Sequence, residues 1–207
     1  RQKEEELRKQ REEELQRQKE EELRKQKEEE EESRKRKEEW SRIWNQFLDS
    51  LKIRGLLGSV SSGDTKVTNT SFYMIWKNYG LGTTQMSYKT KSSSNNEYEM
   101  INSTIDFSYT YGEVLTATVG VGNVTSGSGT IILSSSGLKY STDSVSGKSL
   151  FVILGIELND YEGLFGFTFN TSKYSGFHSQ SSLQSDSIDE SYSISGGQFM
   201  FGIGFSF

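Results

Sequence analysis

The chain has 207 residues, with 24 Lys plus Arg against 29 Asp plus Glu, one His, no Cys, no Pro, and 3 Trp, 10 Tyr and 12 Phe. Zero Cys excludes disulfides, thiolate zinc sites and a cysteine nucleophile, and a single His excludes multi-histidine metal centres. A formal net charge of −5 without an uncompensated basic block argues against nucleic acid as a partner, and no run of 18 apolar residues predicts a membrane-spanning helix.

Opening at Arg1 rather than Met, the chain reads as a processed form whose targeting segment has been removed. Residues 1–39 hold 14 basic and 16 acidic side chains, whereas residues 40–207 hold only 10 and 13. The two parts are therefore read separately. Residues 1–16, RQKEEELRKQREEELQ, recur almost unchanged at 17–32 as RQKEEELRKQKEEEEE. Every residue type in the repeat favours a helix. Acids stand four residues before bases at Glu4–Arg8, Glu5–Lys9, Glu20–Arg24 and Glu21–Lys25, and the reverse pairs Arg8–Glu12 and Lys9–Glu13 continue the ladder. The only apolar residues, Leu7, Leu15 and Leu23, are eight apart, so each is displaced roughly 80° around a helix from the last. A heptad seam needs apolar residues at two positions in every heptad. The spacing therefore favours a solvated single helix, resembling the ER/K-type single α-helices, over a partner-dependent coiled coil or disorder.

Trp40, Ile43, Trp44, Phe47, Leu48 and Leu51 follow helical spacing, with Ser41, Arg42, Asn45, Gln46 and Asp49 on the other face. Two readings of this segment, 40–51, stay open. It packs on its own domain, or Trp40, Trp44 and Phe47 seat it at a membrane–water boundary.

From residue 52 onward the period switches from 3.6 to 2. In Ser193–Phe207 the odd positions Phe199, Phe201, Ile203, Phe205 and Phe207 alternate with Gln198, Met200, Gly202, Gly204 and Ser206. Phe165, Phe167 and Phe169 alternate with Gly166, Thr168 and Asn170 in the same way, and so do Leu150–Leu158 and Ile101–Tyr111. A soluble sandwich would put many Lys and Glu on its polar faces. These faces carry Gly, Ser, Thr and Asn, which suits the crowded lumen of a small membrane barrel whose aromatic face meets lipid. Strands are expected near 53–62, 66–76, 79–91, 97–110, 113–125, 147–158, 162–173 and 193–207, an even number that an antiparallel barrel needs to close. Connections at 77–78, 111–113 and 159–161 are short. Those at 92–96, 126–146 and 174–191 are longer and rich in Ser, Gly and Asn, while the one at 63–64 is tight.

The ending QFMFGIGFSF and the aromatic–turn–Gly pattern FYMIWKNYGLG resemble small eight-stranded outer-membrane β-barrels of the OmpA/OmpX type over about residues 51–207. The resemblance implies a Gram-negative outer membrane, long loops outside, short turns and chain ends in the periplasm, and lipid and lipopolysaccharide as surroundings. It also implies a terminal strand, with Phe199, Phe201, Phe205 and Phe207, that is read by the barrel-insertion machinery. The charged segment before the barrel departs from the type.

Inward charges are expected at Arg54, Asp106, Glu113 and Glu157. A charge in a narrow lumen must find a partner, so Arg54 is expected to pair with one or more of these acids. His178 lies in YSGFHSQSS with Ser179 and Ser181 nearby. The lipid A deacylase family pairs a His with a Ser followed by Asn, and that Asn is missing here, as is an orienting acid. The glycines of TSGSG and GLG precede no helix with a suitably spaced Lys, so neither is a phosphate loop. The expected role is a non-enzymatic anchor without a cofactor. Its charged helix, 1–39, is a spacer or docking rod for an envelope partner, against the alternatives of a loop-mediated adhesin, a small pore or a lipid-modifying enzyme.

Overall fold

The computed structural model describes residues 2–48, 50–180, 187–188 and 191–207. It divides into two units, a helix and a barrel.

The first unit is one continuous helix, α1 (Gln2–Leu48). At about 1.5 Å per residue it is roughly 70 Å long. Its described side chains up to Gln46 face solvent, including Leu15, Leu23, Trp40, Ile43 and Trp44, while Phe47 and Leu48 are half-buried. Ion pairs one turn apart line it: Glu21–Lys25 at 2.9 Å, Glu31–Lys35 at 2.8 Å, Glu32–Arg36 at 3.3 Å, and Arg24–Glu28 and Arg34–Glu38 at 3.6 Å. The side chains of the predicted pairs within 4–13, and Asp49, lie outside the described residues. Among the described residues no helix is long and apolar enough to cross a membrane, which does not bear on strands.

The second unit contains β1 (Leu51–Ser62), β2 (Thr65–Trp76), β3 (Tyr79–Lys91), β4 (Glu97–Tyr111), β5 (Leu115–Ile132), β6 (Lys139–Thr142), β7 (Val145–Leu158), β8 (Tyr161–Tyr174), β9 (Phe177–Ser179), β10 (Ser187–Ile188) and β11 (Tyr192–Ser206). Strands β1, β2, β3, β4, β5, β7, β8 and β11 pair with their neighbours in that order, all antiparallel, and β11 pairs back onto β1. This is a closed eight-stranded barrel, as the alternation predicts.

Following the ladder from Ile53 through Met74, Leu81, Phe107, Val121, Leu150 and Phe169 leads to Gly197. That glycine is eight residues from Phe205, the residue facing Ile53 across the β1–β11 seam. A stagger of that size in eight strands goes with a tilt of about 35–45° and an interior filled by side chains. The outward face is apolar and aromatic: Phe72, Met74, Trp76, Phe107, Val121, Leu150, Leu154, Phe165, Phe167, Phe199, Phe201 and Phe205 are all exposed. Aromatic rings interlock along β8 and β11, with Phe165–Phe201 centroids 5.3 Å and Phe167–Phe199 centroids 5.2 Å apart. An apolar exterior wrapped round a polar interior is the inverse of a water-soluble protein, and it marks a transmembrane barrel.

One end is closed by tight turns. The turn between β4 and β5 uses Gly112 at φ +98°, where a Cβ would lie 2.0 Å from the Leu115 carbonyl oxygen. At the other end the chain does more than loop. β5 runs on to Ile132 and pairs with β6, and β6 pairs with β9 and β9 with β10. The stretch expected as a loop at 126–146 is thus largely strand. Its Ser and Gly residues lack the apolar alternation of the barrel because they extend past the apolar band.

Candidate functional site

The lumen is built in layers, set by which inward residues each strand brings to one height. At the short-turn mouth Lys52 of β1 pairs with Glu157 of β7, which also accepts a hydrogen bond from Ser206 Oγ at 3.1 Å. One register step deeper is Arg54, wholly buried. Its Nε and Nη2 donate to Glu162 Oε2 and Oε1, each at 2.7 Å, and its remaining donors reach Thr118 Oγ1 and Thr116 Oγ1. Thr116 Oγ1 donates to the same carboxylate. Arg54 on β1 and Glu162 on β8 are separated by β11, where both face Gly204. A Cβ at position 204 would lie 2.9 Å from Glu162 Oε2 and 3.2 Å from Arg54 Cγ. A side chain there would press on both partners of the ion pair.

Above the ion pair lies an apolar plug of Leu56, Tyr73, Phe151, Ile153, Leu164 and Met200. The Tyr73 and Phe151 rings meet at 5.0 Å. Beyond it Asp106, also wholly buried, accepts from Thr84 Oγ1 at 2.6 Å, Thr104 Oγ1 at 2.7 Å, Ser149 Oγ at 3.2 Å and the Tyr73 hydroxyl at 3.3 Å. Next, Asn102 Nδ2 donates to Ser172 Oγ and Tyr174 Oη. A second apolar cluster, Met100, Ile131, Tyr140, Tyr174 and Phe177, seals the long-loop end. Among the described residues, polar, apolar, polar and apolar layers follow one another along the lumen.

Of the predicted inward charges, Arg54 and Asp106 sit in the lumen and Glu157 lies at its mouth, half-buried. Glu113 does not face the lumen. It lies exposed in the turn that Gly112 forms, before β5 begins at Leu115. The expected partners of Arg54 are corrected too. Its carboxylate is Glu162, at the start of the expected strand 162–173 but not among the expected inward charges, while Asp106 is held by hydroxyls and Glu157 by Lys52. The physical reason is the stagger: it brings Glu162 level with Arg54 two strands away and lifts Asp106 beyond the apolar plug.

Phe199, Phe201 and Phe205 face outward on β11, and Phe207 is exposed beyond it. Trp40 and Trp44 are exposed on α1, and the Trp44 and Phe47 rings stack at 5.7 Å. His178 is not in a loop but in β9, exposed, facing Ser141 and Ser187 across the sheet. Ser181 lies outside the described residues. Among those residues no three His, Asp or Glu side chains converge to hold a metal.

Outside the apolar band, cross-strand charges pair on β3 and β4: Lys89–Glu99 at 2.6 Å and Lys91–Glu97 at 2.8 Å. The hydrogen bond and charge of Glu97 hold the Lys91 ammonium above its ordinary value. On α1, Lys25 and Lys35 hold Glu21 and Glu31 below the usual carboxylate range and are themselves raised by them.

No protein-family model and no curated protein sequence matches the chain. Solved structures do. Neisserial surface protein A is 11% identical, with a TM-score of 0.42 over 76% of this chain and 96% of its own. Ail, the attachment invasion locus protein of Yersinia pestis, is 10% identical, with a TM-score of 0.43 over 76% and 97%. At such identities the likeness concerns the fold, which the closed ladder establishes independently.

Proposed function

We propose that the chain is a non-enzymatic anchor of the bacterial outer membrane, with α1 on the periplasmic side as a spacer or docking rod for another envelope component. The observation that carries this reading is the pairing of a lumen packed with side chains and a long charged helix whose described side chains up to Gln46 are exposed. A pore has no use for either. Layered side chains supply the reason for stability without transport, and ion pairs keep α1 helical without a core of its own.

The topology supports the orientation. β1 begins, and β11 ends, at the short-turn end of the barrel. In barrels of this kind short turns are periplasmic and long loops extracellular. The segment that precedes β1 then starts its course in the periplasm, where Trp40, Trp44 and Phe47 suit the inner leaflet boundary. Deleting residues 1–39 is expected to leave barrel insertion intact while releasing whatever protein co-purifies with the full chain from crosslinked cells. An unchanged set of crosslinked proteins after the deletion rejects the docking role.

A second reading, a loop-mediated adhesin, draws on one observation. The long-loop end is an ordered sheet extension over its own apolar cluster, with Tyr98–Tyr192 and Phe177–Tyr192 ring contacts at 5.6 and 5.4 Å. Under that reading, replacing residues 133–138 abolishes surface attachment and deletion of residues 1–39 does not.

A further inference from the structure

The outer wall of the barrel carries a depression of about 440 Å³ where β5 and β7 part. Their ladder ends at the pair Asn123 and Lys148; beyond it β5 turns to β6 and β7 continues with β8 alone. The floor is apolar, made by the outward side chains of Phe107, Val121, Leu150 and Phe169. The rim is polar. Asn123, Lys148 and Thr171 stand one outward position further toward the long loops than Val121, Leu150 and Phe169. Lys173 follows Thr171 on the same face of β8, diagonal to Lys148 across the β7–β8 ladder. Both lysines are exposed, and among the described residues neither forms an ion pair, unlike Lys89 and Lys91.

We propose that this fork binds one lipopolysaccharide molecule of the outer leaflet. An acyl chain lies in the depression and a lipid A phosphate rests on Lys148 and Lys173, with a further hydrogen bond from Asn123, while the Thr171 hydroxyl donates to the Lys148 carbonyl. The inference deepens the membrane reading and rests on it, because it needs the apolar band to face lipid and the long loops to face outward. Its chemistry follows from the order of the groups. Apolar floor, then a row with an amide and one ammonium, then a second ammonium beyond it is the order an amphiphile with an anionic head presents to a wall it stands against. A free anion has no use for the floor, and a neutral lipid none for two unpaired ammoniums at the edge of the apolar band.

The test uses the full chain folded in phosphatidylcholine nanodiscs, with bisphosphorylated lipid A as the probe and native mass spectrometry as the readout of lipid retained per barrel. One retained lipid A is expected. Lys148→Ala with Lys173→Ala weakens retention by about tenfold or more, since each cation near an anionic surface contributes materially to binding. Removing both phosphates from the probe does the same. Lys148→Arg with Lys173→Arg preserves binding, and Lys66→Ala on β2 leaves it unchanged. Equal retention by the parent chain and the double alanine variant, or equal retention of phosphate-free lipid A, overturns the site. A chain that fails to enter the nanodisc at all overturns the membrane reading instead, so the two failures are distinguishable.

Discussion

The guanidinium of Arg54 reaches across β11 to the carboxylate of Glu162, making two bonds of 2.7 Å over the bare backbone of Gly204. The pair is wholly buried, so its desolvation is offset only while both charges and the two threonines that satisfy them remain. Removing one partner strands a charge in the lumen. Glu162→Gln or Arg54→Met is therefore expected to destabilise the barrel by about 3–5 kcal/mol, and the double replacement Arg54→Met with Glu162→Met to recover most of that loss. Urea titration of the barrel folded in lipid vesicles reads both. A double variant as unstable as the singles would mean that packing, not charge, governs the site.

Asp106 meets a different constraint, because its four partners are hydroxyls rather than a cation. Asp106→Ala leaves Tyr73, Thr84, Thr104 and Ser149 to find new acceptors and is expected to cost about 1–3 kcal/mol or more. Asp106→Asn retains an acceptor, and hydroxyls rotate to suit, so its cost should be smaller. The order of the two unfolding midpoints checks this.

The outward face gives a test that separates two neighbouring residues. Leu154 faces out and Ile153 faces in. An arginine at Leu154 is expected to cost about 2–4 kcal/mol in a bilayer, where the side chain has no water to reach. Leu154→Ala leaves no void in the lumen, whereas Ile153→Ala opens a cavity in the apolar plug and should cost about 2–5 kcal/mol. Unfolding of the three variants in vesicles separates the two faces.

The alternation at Ser193–Phe207 and Gly163–Thr171 is legible in the sequence because lipid demands that every outward side chain be apolar, while lumen neighbours such as Gly166 and Gly204 must be small. The band at residues 150–154 is less so. Phe151 and Ile153 face the lumen and their neighbours face lipid, so a run of apolar residues hides which face is which. Glu162 escapes notice because it borders a turn, and its link to Arg54 depends on a stagger that local patterning does not specify. Likewise the strand character of residues 126–132 follows from pairing with β4 and β6, and that of 139–142 from pairing with β5 and β9, rather than from periodicity.

For α1 the expected pH dependence runs both ways. Glu21 and Glu31 are held below their ordinary value of 4.5, so the stability they add is present above that value and is lost as pH falls through their lowered range. Lys25 and Lys35 are raised above 10.5, so their contribution is present below that value and is lost as pH rises through the raised range. Circular dichroism of a peptide spanning 14–48 should show greatest helicity between these limits, with loss in high salt. Helicity that is flat with pH and salt would point to intrinsic propensity alone.

The orientation of the helix and the loops is the centre of the proposed role, and the absence of Cys from the chain makes it directly measurable. Single cysteines at Ser33 of α1 and at Ser135 between β5 and β6, both exposed, are treated in intact cells with a membrane-impermeant maleimide. The expected result is labelling of Ser135→Cys without treatment and of Ser33→Cys only after the outer membrane is permeabilised. Labelling of Ser33→Cys in intact cells would contradict a periplasmic rod and with it the anchor role.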